Sequence, residues 1–131
     1  MIGLDTNILV RYVTQDHAAQ SAAAVKIMES LSPESPGFLS LVVVVELVWV
    51  LYFSYRLKKH EIEHVVERLL RSKELVVERT EIVSQALRRF RASRANFADC
   101  LIERCGHAAE CQYVLTFDKD AAGAGMRLLT N

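Results

Sequence analysis

Short apolar segments alternate along this chain with longer segments in which apolar residues recur at helical spacing. Apolar residues at positions i, i+3, i+4 and i+7 predict an amphipathic helix. Three stretches show this spacing: Ala24–Leu31, Ile62–Leu70 and Val83–Phe90. Five short apolar segments are predicted as strands: Ile2–Asp5, Gly37–Leu39, Leu75–Glu78, Tyr113–Thr116 and Arg127–Leu129.

Strands that are separated by helices predict an α/β fold. Their order favours a mostly parallel central sheet of about five strands, flanked by helices on both faces. At 131 residues the chain can bury a core without disulfides or a structural metal, so we expect a single domain over residues 1–131. In sheets of this kind, ligands bind beyond the carboxyl ends of the strands.

The longest apolar run, Leu41–Phe53, contains one charged residue, Glu46. The run is too short to span a membrane, which takes about 20 residues. We therefore expect a buried helix with Ser40 as its N-cap, and no membrane association.

Composition narrows the class of protein only slightly. Hydrophobic residues make up 51% of the chain and charged residues 24%, as in most soluble globular proteins. The 16 basic and 16 acidic side chains cancel, so the net charge neither requires nor excludes a nucleic-acid partner. Three cysteines without a recognisable signal peptide predict a reducing, cytoplasmic environment.

Four single carboxylates stand beside or inside apolar segments. Asp5 and Asp118 lie at or just past the ends of predicted strands, whereas Glu46 and Asp99 interrupt apolar helices. An ionised carboxylate that leaves water is costly unless it is paired, hydrogen-bonded or bound to a metal ion. Four of them without obvious cationic partners suggest one converging acidic site. Such a site suits a hard divalent cation such as Mg²⁺ or Mn²⁺, which prefers oxygen ligands.

Two of these acids also have a structural explanation. Asp5 is suited to cap the helix that follows it, and Asp118 is suited to a turn. Glu46 is harder to explain in this way, because an exposed helical glutamate rarely has apolar neighbours on all sides. We therefore expect Glu46 to be embedded among apolar side chains. Asp99 and Glu103 are four residues apart on one flank of a helix, so we expect them to project on the same side.

Four segments that carry these acids resemble the motifs of PIN-domain ribonucleases, and among these the VapC-type toxins of bacterial toxin–antitoxin pairs. The resemblance covers essentially the whole chain, and the motifs follow the family's order. The segments are Gly-Leu-Asp5-Thr6-Asn7, Val-Glu46-Leu-Val-Trp, Asn-Phe-Ala-Asp99-Cys-Leu-Ile and Leu-Thr116-Phe-Asp118. The resemblance implies a PIN-like domain whose acidic quartet binds Mg²⁺ or Mn²⁺. The implied quartet is Asp5, Glu46, Asp99 and Asp118, with Asp120 as a competitor for the fourth place and Thr6, Asn7 and Thr116 as supporting polar residues.

The resemblance further implies a Mg²⁺-dependent endoribonuclease that acts as a toxin and hydrolyses RNA through a metal-activated water. Asp5 and Asp99 are then the direct metal ligands. Glu46 orients water or binds a second ion, and Asp118 completes the metal shell through water. The implied partners are an RNA substrate, a VapB-like antitoxin and a second copy of the chain in a homodimer.

Four arginines precede Asp99 at short spacing: Arg88, Arg89, Arg91 and Arg94. They are expected either to hold RNA phosphates or to form a solvated helix face.

Three other functions are alternatives to the toxin. A PIN nuclease of RNA processing would carry the same acids but have no antitoxin. A catalytically silent PIN-like binding module is disfavoured because all four acids are present. A haloacid-type phosphatase also places acids past strand ends, but it requires an Asp-x-Asp motif, and Asp5-Thr6-Asn7 lacks the second acid.

Overall fold

The computed structural model describes residues 1–130. The chain divides into two compact units, Met1–Thr80 and Glu81–Asn131, and each is described on its own. The elements of the first unit are β1 (Ile2–Gly3), α1 (Thr6–Thr14), α2 (Ala18–Ser30), β2 (Gly37–Leu39), α3 (Leu41–Phe53), α4 (Lys59–Arg71) and β3 (Leu75–Val77). From the boundary onward come α5 (Thr80–Ala92), α6 (Phe97–Ala108), β4 (Leu115–Thr116), α7 (Lys119–Gly123) and β5 (Arg127–Leu128).

The sheet of the first unit has the order β1-β2-β3, and both of its ladders are parallel. Gly37 of β2 pairs with Ile2 on one side and with Leu75 on the other. Helix α1 contacts α2 and α3, and α4 contacts α3 and β3. The chain passes from the carboxyl end of β1, at Gly3, into α1, which begins at Thr6 and contacts α3.

Helix α3 is the apolar run of the sequence, and it starts where capping predicts. The Ser40 side chain accepts a hydrogen bond from the Val43 amide at 3.2 Å, which confirms Ser40 as the N-cap. The expectation of a buried helix is wrong for one of its faces. Four residues are buried, namely Val44, Leu47, Val48 and Leu51, whereas four other apolar residues are exposed, namely Val42, Trp49, Tyr52 and Phe53. An almost uniformly apolar run carries no periodic signal that tells a covered face from an open one.

In the second unit, α5 shows the amphipathic pattern that its sequence predicts. Its buried residues are Ile82, Val83, Ala86, Leu87 and Phe90. Phe90 meets Phe97 at the start of α6 edge-on, with ring centroids 5.9 Å apart. Strands β4 and β5 form a parallel pair in which Leu115 is opposite Arg127.

The α/β class and the parallel pairing are confirmed, but the single sheet of about five strands is not observed. Within residues 1–130 the strands form one sheet of three and a separate pair. Strands β1, β4 and β5 have only two residues each. Such short strands form few ladder hydrogen bonds, and their apolar pattern does not specify which edges pair. None of the helices described for residues 1–130 is long and apolar enough to cross a membrane.

Candidate active site

Asp5 lies directly after β1 and is the N-cap of α1. Its Oδ1 accepts a hydrogen bond from the Thr6 amide at 2.7 Å, and its backbone is extended. The structural explanation that the sequence offered for Asp5 is therefore realised. This hydrogen bond occupies one carboxylate oxygen of an exposed residue, which leaves Oδ2 able to bind a ligand. Asn7, in the first turn of the same helix, is also exposed.

Thr6 connects Asp5 to Glu46. The Thr6 side chain is buried, and its Oγ1 donates a short hydrogen bond to Oε1 of Glu46 on α3. The same residue thus donates its amide to one acid and its hydroxyl to the other. Asp5 and Glu46, called the Thr6 pair below, are brought together by the packing of α1 against α3.

Glu46 is exposed rather than embedded among apolar side chains. It lies on the open face of α3, one turn from Val42 and from Trp49. The apolar residues adjacent to it in sequence include Leu47, which points into the core. Sequence neighbours of a helical residue lie on other faces of the helix, so they do not report its surroundings. The prediction of an embedded Glu46 is therefore wrong.

Asp99 lies in the first turn of α6, whose N-cap is Asn96. The Asn96 side chain accepts a hydrogen bond from the Asp99 amide at 2.8 Å, which fixes the start of the helix. Asp99 is half-buried, and burial is the main cause that raises its pKa. The negative charge of Asp118 raises the pKa further. Ionised Asp99 is thus disfavoured unless a positive charge is supplied nearby.

Asp118 follows β4 and is the N-cap of the short helix α7. Its Oδ1 accepts a hydrogen bond from the Asp120 amide at 2.8 Å, and its own amide donates to Thr116 Oγ1 at 3.0 Å. Thr116 therefore holds the backbone of Asp118 in place. Asp118, and not Asp120, is the acid that acts on the pKa of Asp99. Asp99 and Asp118 are called the α6–α7 pair below.

The four predicted acids thus form two pairs, one in each unit. Three of them are exposed, so the premise that all four leave water is wrong for Asp5, Glu46 and Asp118. Among residues 1–130, no group of three or more His, Cys, Asp and Glu side chains is arranged to hold a metal ion. The donors nevertheless fit a hard cation, since both pairs offer carboxylate oxygens and the α6–α7 pair carries an unrelieved like-charge repulsion.

Glu103 is a buried acid whose partners the sequence did not reveal. Arg104 holds both of its oxygens, through Nε to Oε1 at 2.6 Å and Nη2 to Oε2 at 3.0 Å. Arg89 Nη1 reaches Oε1 at 3.3 Å. The hydrogen bond from Arg104, followed by the charges of Arg104 and Arg89, lowers the pKa of Glu103 in spite of its burial. The available signal was an acid inside an apolar helix, the same signal that identified Asp99.

The four arginines before Asp99 differ in burial and in hydrogen bonding. Arg89 is half-buried and bonded to Glu103 and to the Ala124 carbonyl, so its guanidinium is used within the protein. These bonds show that Arg89 is more than part of a solvated helix face, and its contact with RNA stays a prediction. The other three, Arg88, Arg91 and Arg94, are exposed, and their contact with RNA stays a prediction.

Comparisons with known proteins identify the family. The family model of the PIN domain matches residues 2–125. Among solved structures, the chain is similar to the crystal structure of the Mycobacterium tuberculosis toxin VapC20, described as cleaving the sarcin-ricin loop, with a TM-score of 0.47 and 20% sequence identity over 100% of both chains. A search of curated protein sequences finds no match.

Proposed function

Because the chain belongs to the PIN-domain family, we propose that it is a metal-dependent endoribonuclease whose reaction centre includes the α6–α7 pair. The observation that carries this proposal is the half-buried carboxylate of Asp99, whose pKa is raised by burial and by the charge of Asp118. Two acids held against their mutual repulsion are typical of a site that binds a cation. We further propose that residues 1–131 form a single PIN domain, since the family match extends over residues 2–125.

The residues that would hold Mg²⁺ or Mn²⁺ are Asp99 and Asp5 directly, with Asp118 directly or through water. A divalent cation bound there would polarise a phosphoryl oxygen and lower the pKa of a water molecule. Glu46, held by the Thr6 hydroxyl, would orient the attacking water. The assignment of both pairs to one reaction rests on the order of the motifs and on family membership. Attack by water would leave a 5′-phosphate and a 3′-hydroxyl, without using the RNA 2′-hydroxyl.

We also propose that the enzyme is a VapC-type toxin that forms a cytoplasmic homodimer and binds a VapB-like antitoxin. The open face of α3 supports a protein partner, because Trp49 is 56% exposed, Phe53 57% and Val42 73%. Trp49 and Phe53 are in mutual contact, with ring centroids 4.6 Å apart. A short neighbouring reading frame that encodes a DNA-binding antitoxin distinguishes the toxin from a PIN nuclease of RNA processing.

The experiment that tests the enzymatic proposal is RNA cleavage by purified protein in Mg²⁺, in Mn²⁺ and in excess EDTA. We expect cleavage only with the metal, and its loss in Asp99→Asn and Asp118→Asn. Asp120→Asn is the matched control, because Asp120 is exposed in the first turn of α7 and does not act on the pKa of Asp99.

Undiminished cleavage in excess EDTA would rule out the metal-dependent mechanism. Loss of cleavage in Asp120→Asn with full activity in Asp118→Asn would reassign the fourth acid. No cleavage by the wild type in either metal would favour a binding module over an enzyme.

A further inference from the structure

Glu103 anchors a charged cluster within the second unit. It is 9% exposed and lies one helical turn after Asp99 on α6. Arg104 binds both of its oxygens and also lies 3.5 Å from Gln85 Oε1 on α5. Arg89, also on α5, reaches Glu103 through Nη1. A buried carboxylate with this many charge-assisted donors joins α5 and α6 firmly. Glu103, Arg89 and Arg104 are called the Glu103 cluster.

Arg89 extends the cluster to the end of α7. Its Nη1 donates a short hydrogen bond to the carbonyl of Ala124, the C-cap of that helix. The next residue, Gly125, has φ of +123°. A Cβ at Gly125 would overlap Nη1 of Arg89 and would lie 3.3 Å from Cδ of Glu103. Only glycine combines this backbone conformation with the space that the guanidinium occupies. The turn after α7 is therefore shaped around Arg89.

The cluster joins the two helices that carry the α6–α7 pair. Asp118 caps the start of α7 and Ala124 its end, so this five-residue helix has an acid at one end and the Arg89 contact at the other. Asp99 and Glu103 stand one turn apart on α6. Like charges on Asp99 and Asp118 repel each other, which tends to separate α7 from α6 when no cation is present. The hydrogen bonds of Arg89 oppose that separation.

We propose that Arg89, held by Glu103, is a positioning residue that keeps Asp118 within reach of a cation bound to Asp99. In this role Arg89 acts through the placement of α7 and does not contact RNA. The inference rests on the proposed function, because a divalent cation is what the two acids would share.

The test compares the full chain with Arg89→Met, which keeps an unbranched apolar stem but removes the guanidinium and its donors. Arg89→Lys keeps the charge but lacks the forked guanidinium, so it should recover part of the loss. Arg68→Met, an exposed arginine of α4, is the control. Three quantities are measured: Mn²⁺ affinity by calorimetry, amide hydrogen exchange of residues 119–126 in EDTA, and kcat and KM for RNA cleavage.

We expect Arg89→Met to weaken Mn²⁺ binding by about tenfold or more, as for other residues that support metal ligands. Exchange in residues 119–126 should become faster, and kcat should fall while the KM for RNA is unchanged. Arg68→Met should keep the wild-type Mn²⁺ affinity and exchange.

Two results would overturn the inference. One is a folded Arg89→Met protein with wild-type Mn²⁺ affinity and exchange. The other is a raised KM for RNA at unchanged kcat, which would make Arg89 an RNA contact. If the wild type binds no Mn²⁺, the proposed function fails, and the exchange of residues 119–126 still decides whether Arg89 holds α7. If Arg89→Met does not fold, the same three quantities are measured for Glu103→Gln, which keeps the shape of the side chain but removes its charge.

Discussion

In the Thr6 pair, both carboxylates accept hydrogen bonds from one residue, whereas in the α6–α7 pair Asp99 meets the negative charge of Asp118. Both acids of the Thr6 pair are exposed, and each accepts a hydrogen bond from Thr6. In the α6–α7 pair, burial and like charge both act against ionised Asp99.

This difference shows that acids with similar sequence surroundings can be held by opposite physical means. The Thr6 pair contributes hydrogen bonds to the fold, and its removal should weaken the protein. The α6–α7 pair stores repulsion that the Glu103 cluster restrains, and its neutralisation should not weaken the protein. Functional sites commonly carry such a stability cost.

The largest expected effect is on stabilisation by metal. At an Mn²⁺ concentration 100 times its dissociation constant, the free energy of unfolding of the wild type should rise by about 2.7 kcal/mol. Asp99→Asn should lose most of this gain, yet be as stable as the wild type or slightly more so in EDTA, because like-charge repulsion is relieved. Thermal or urea unfolding with and without Mn²⁺ measures both. A clearly lower melting temperature in EDTA, with activity retained in the folded fraction, would rule out a catalytic role for Asp99.

A smaller effect is expected at the Thr6 pair. Asp5→Ala removes the N-cap of α1 and should lower the free energy of unfolding by about 1 kcal/mol in EDTA. Asp5→Asn keeps a good capping oxygen and should cost much less, although it removes the charge. Urea unfolding of the two variants separates the cap from the charge. Equal stability of Asp5→Ala and the wild type would show that the hydrogen bond to the Thr6 amide does not support the fold.

The smallest expected effect is a dependence of stability on pH. The pKa of Asp99 is raised in the folded protein, so its contribution to stability is present below the ordinary aspartate pKa and is lost as the pH rises through the raised value. The difference in unfolding free energy, wild type minus Asp99→Asn in EDTA, should therefore fall with rising pH. Glu103 has the opposite sign, because its lowered pKa gives stability that is lost on acidification. A difference between wild type and Asp99→Asn that rises with pH would contradict the repulsive description of the α6–α7 pair.

Much of the local structure was predictable because it depends on nearby residues. Ser40 caps α3 through an amide three residues away, and the apolar spacing of α5 predicts its buried face. The strands were located to within one or two residues, and their parallel pairing follows from the helices that separate them. Their division into a sheet of three and a pair was not predictable, because strands of two or three residues carry too little pattern to choose a partner.

The candidate site was only partly predictable, because some of its contacts join residues that are far apart in the chain. Family motifs predict the acids, and Thr6 and Thr116 each lie within two residues of an acid that they contact. The exposure of Glu46 depends on which face of α3 is covered, and an almost uniformly apolar helix does not show this in its sequence. The bond from Arg89 to Glu103 joins residues 14 apart on two helices, and no sequence periodicity connects them.

The sequence by itself determined most of the helices, the strand positions, the caps at Asp5 and Ser40 and the family, since these depend on short-range hydrogen bonding and on motifs that are read in order. Only the tertiary structure decided that Glu46 is exposed, that Asp118 rather than Asp120 acts on Asp99, and that Arg89 is bonded within the protein. The physical reason is that desolvation and charge interactions depend on distances in space, and packing sets those distances between residues that are far apart in the chain.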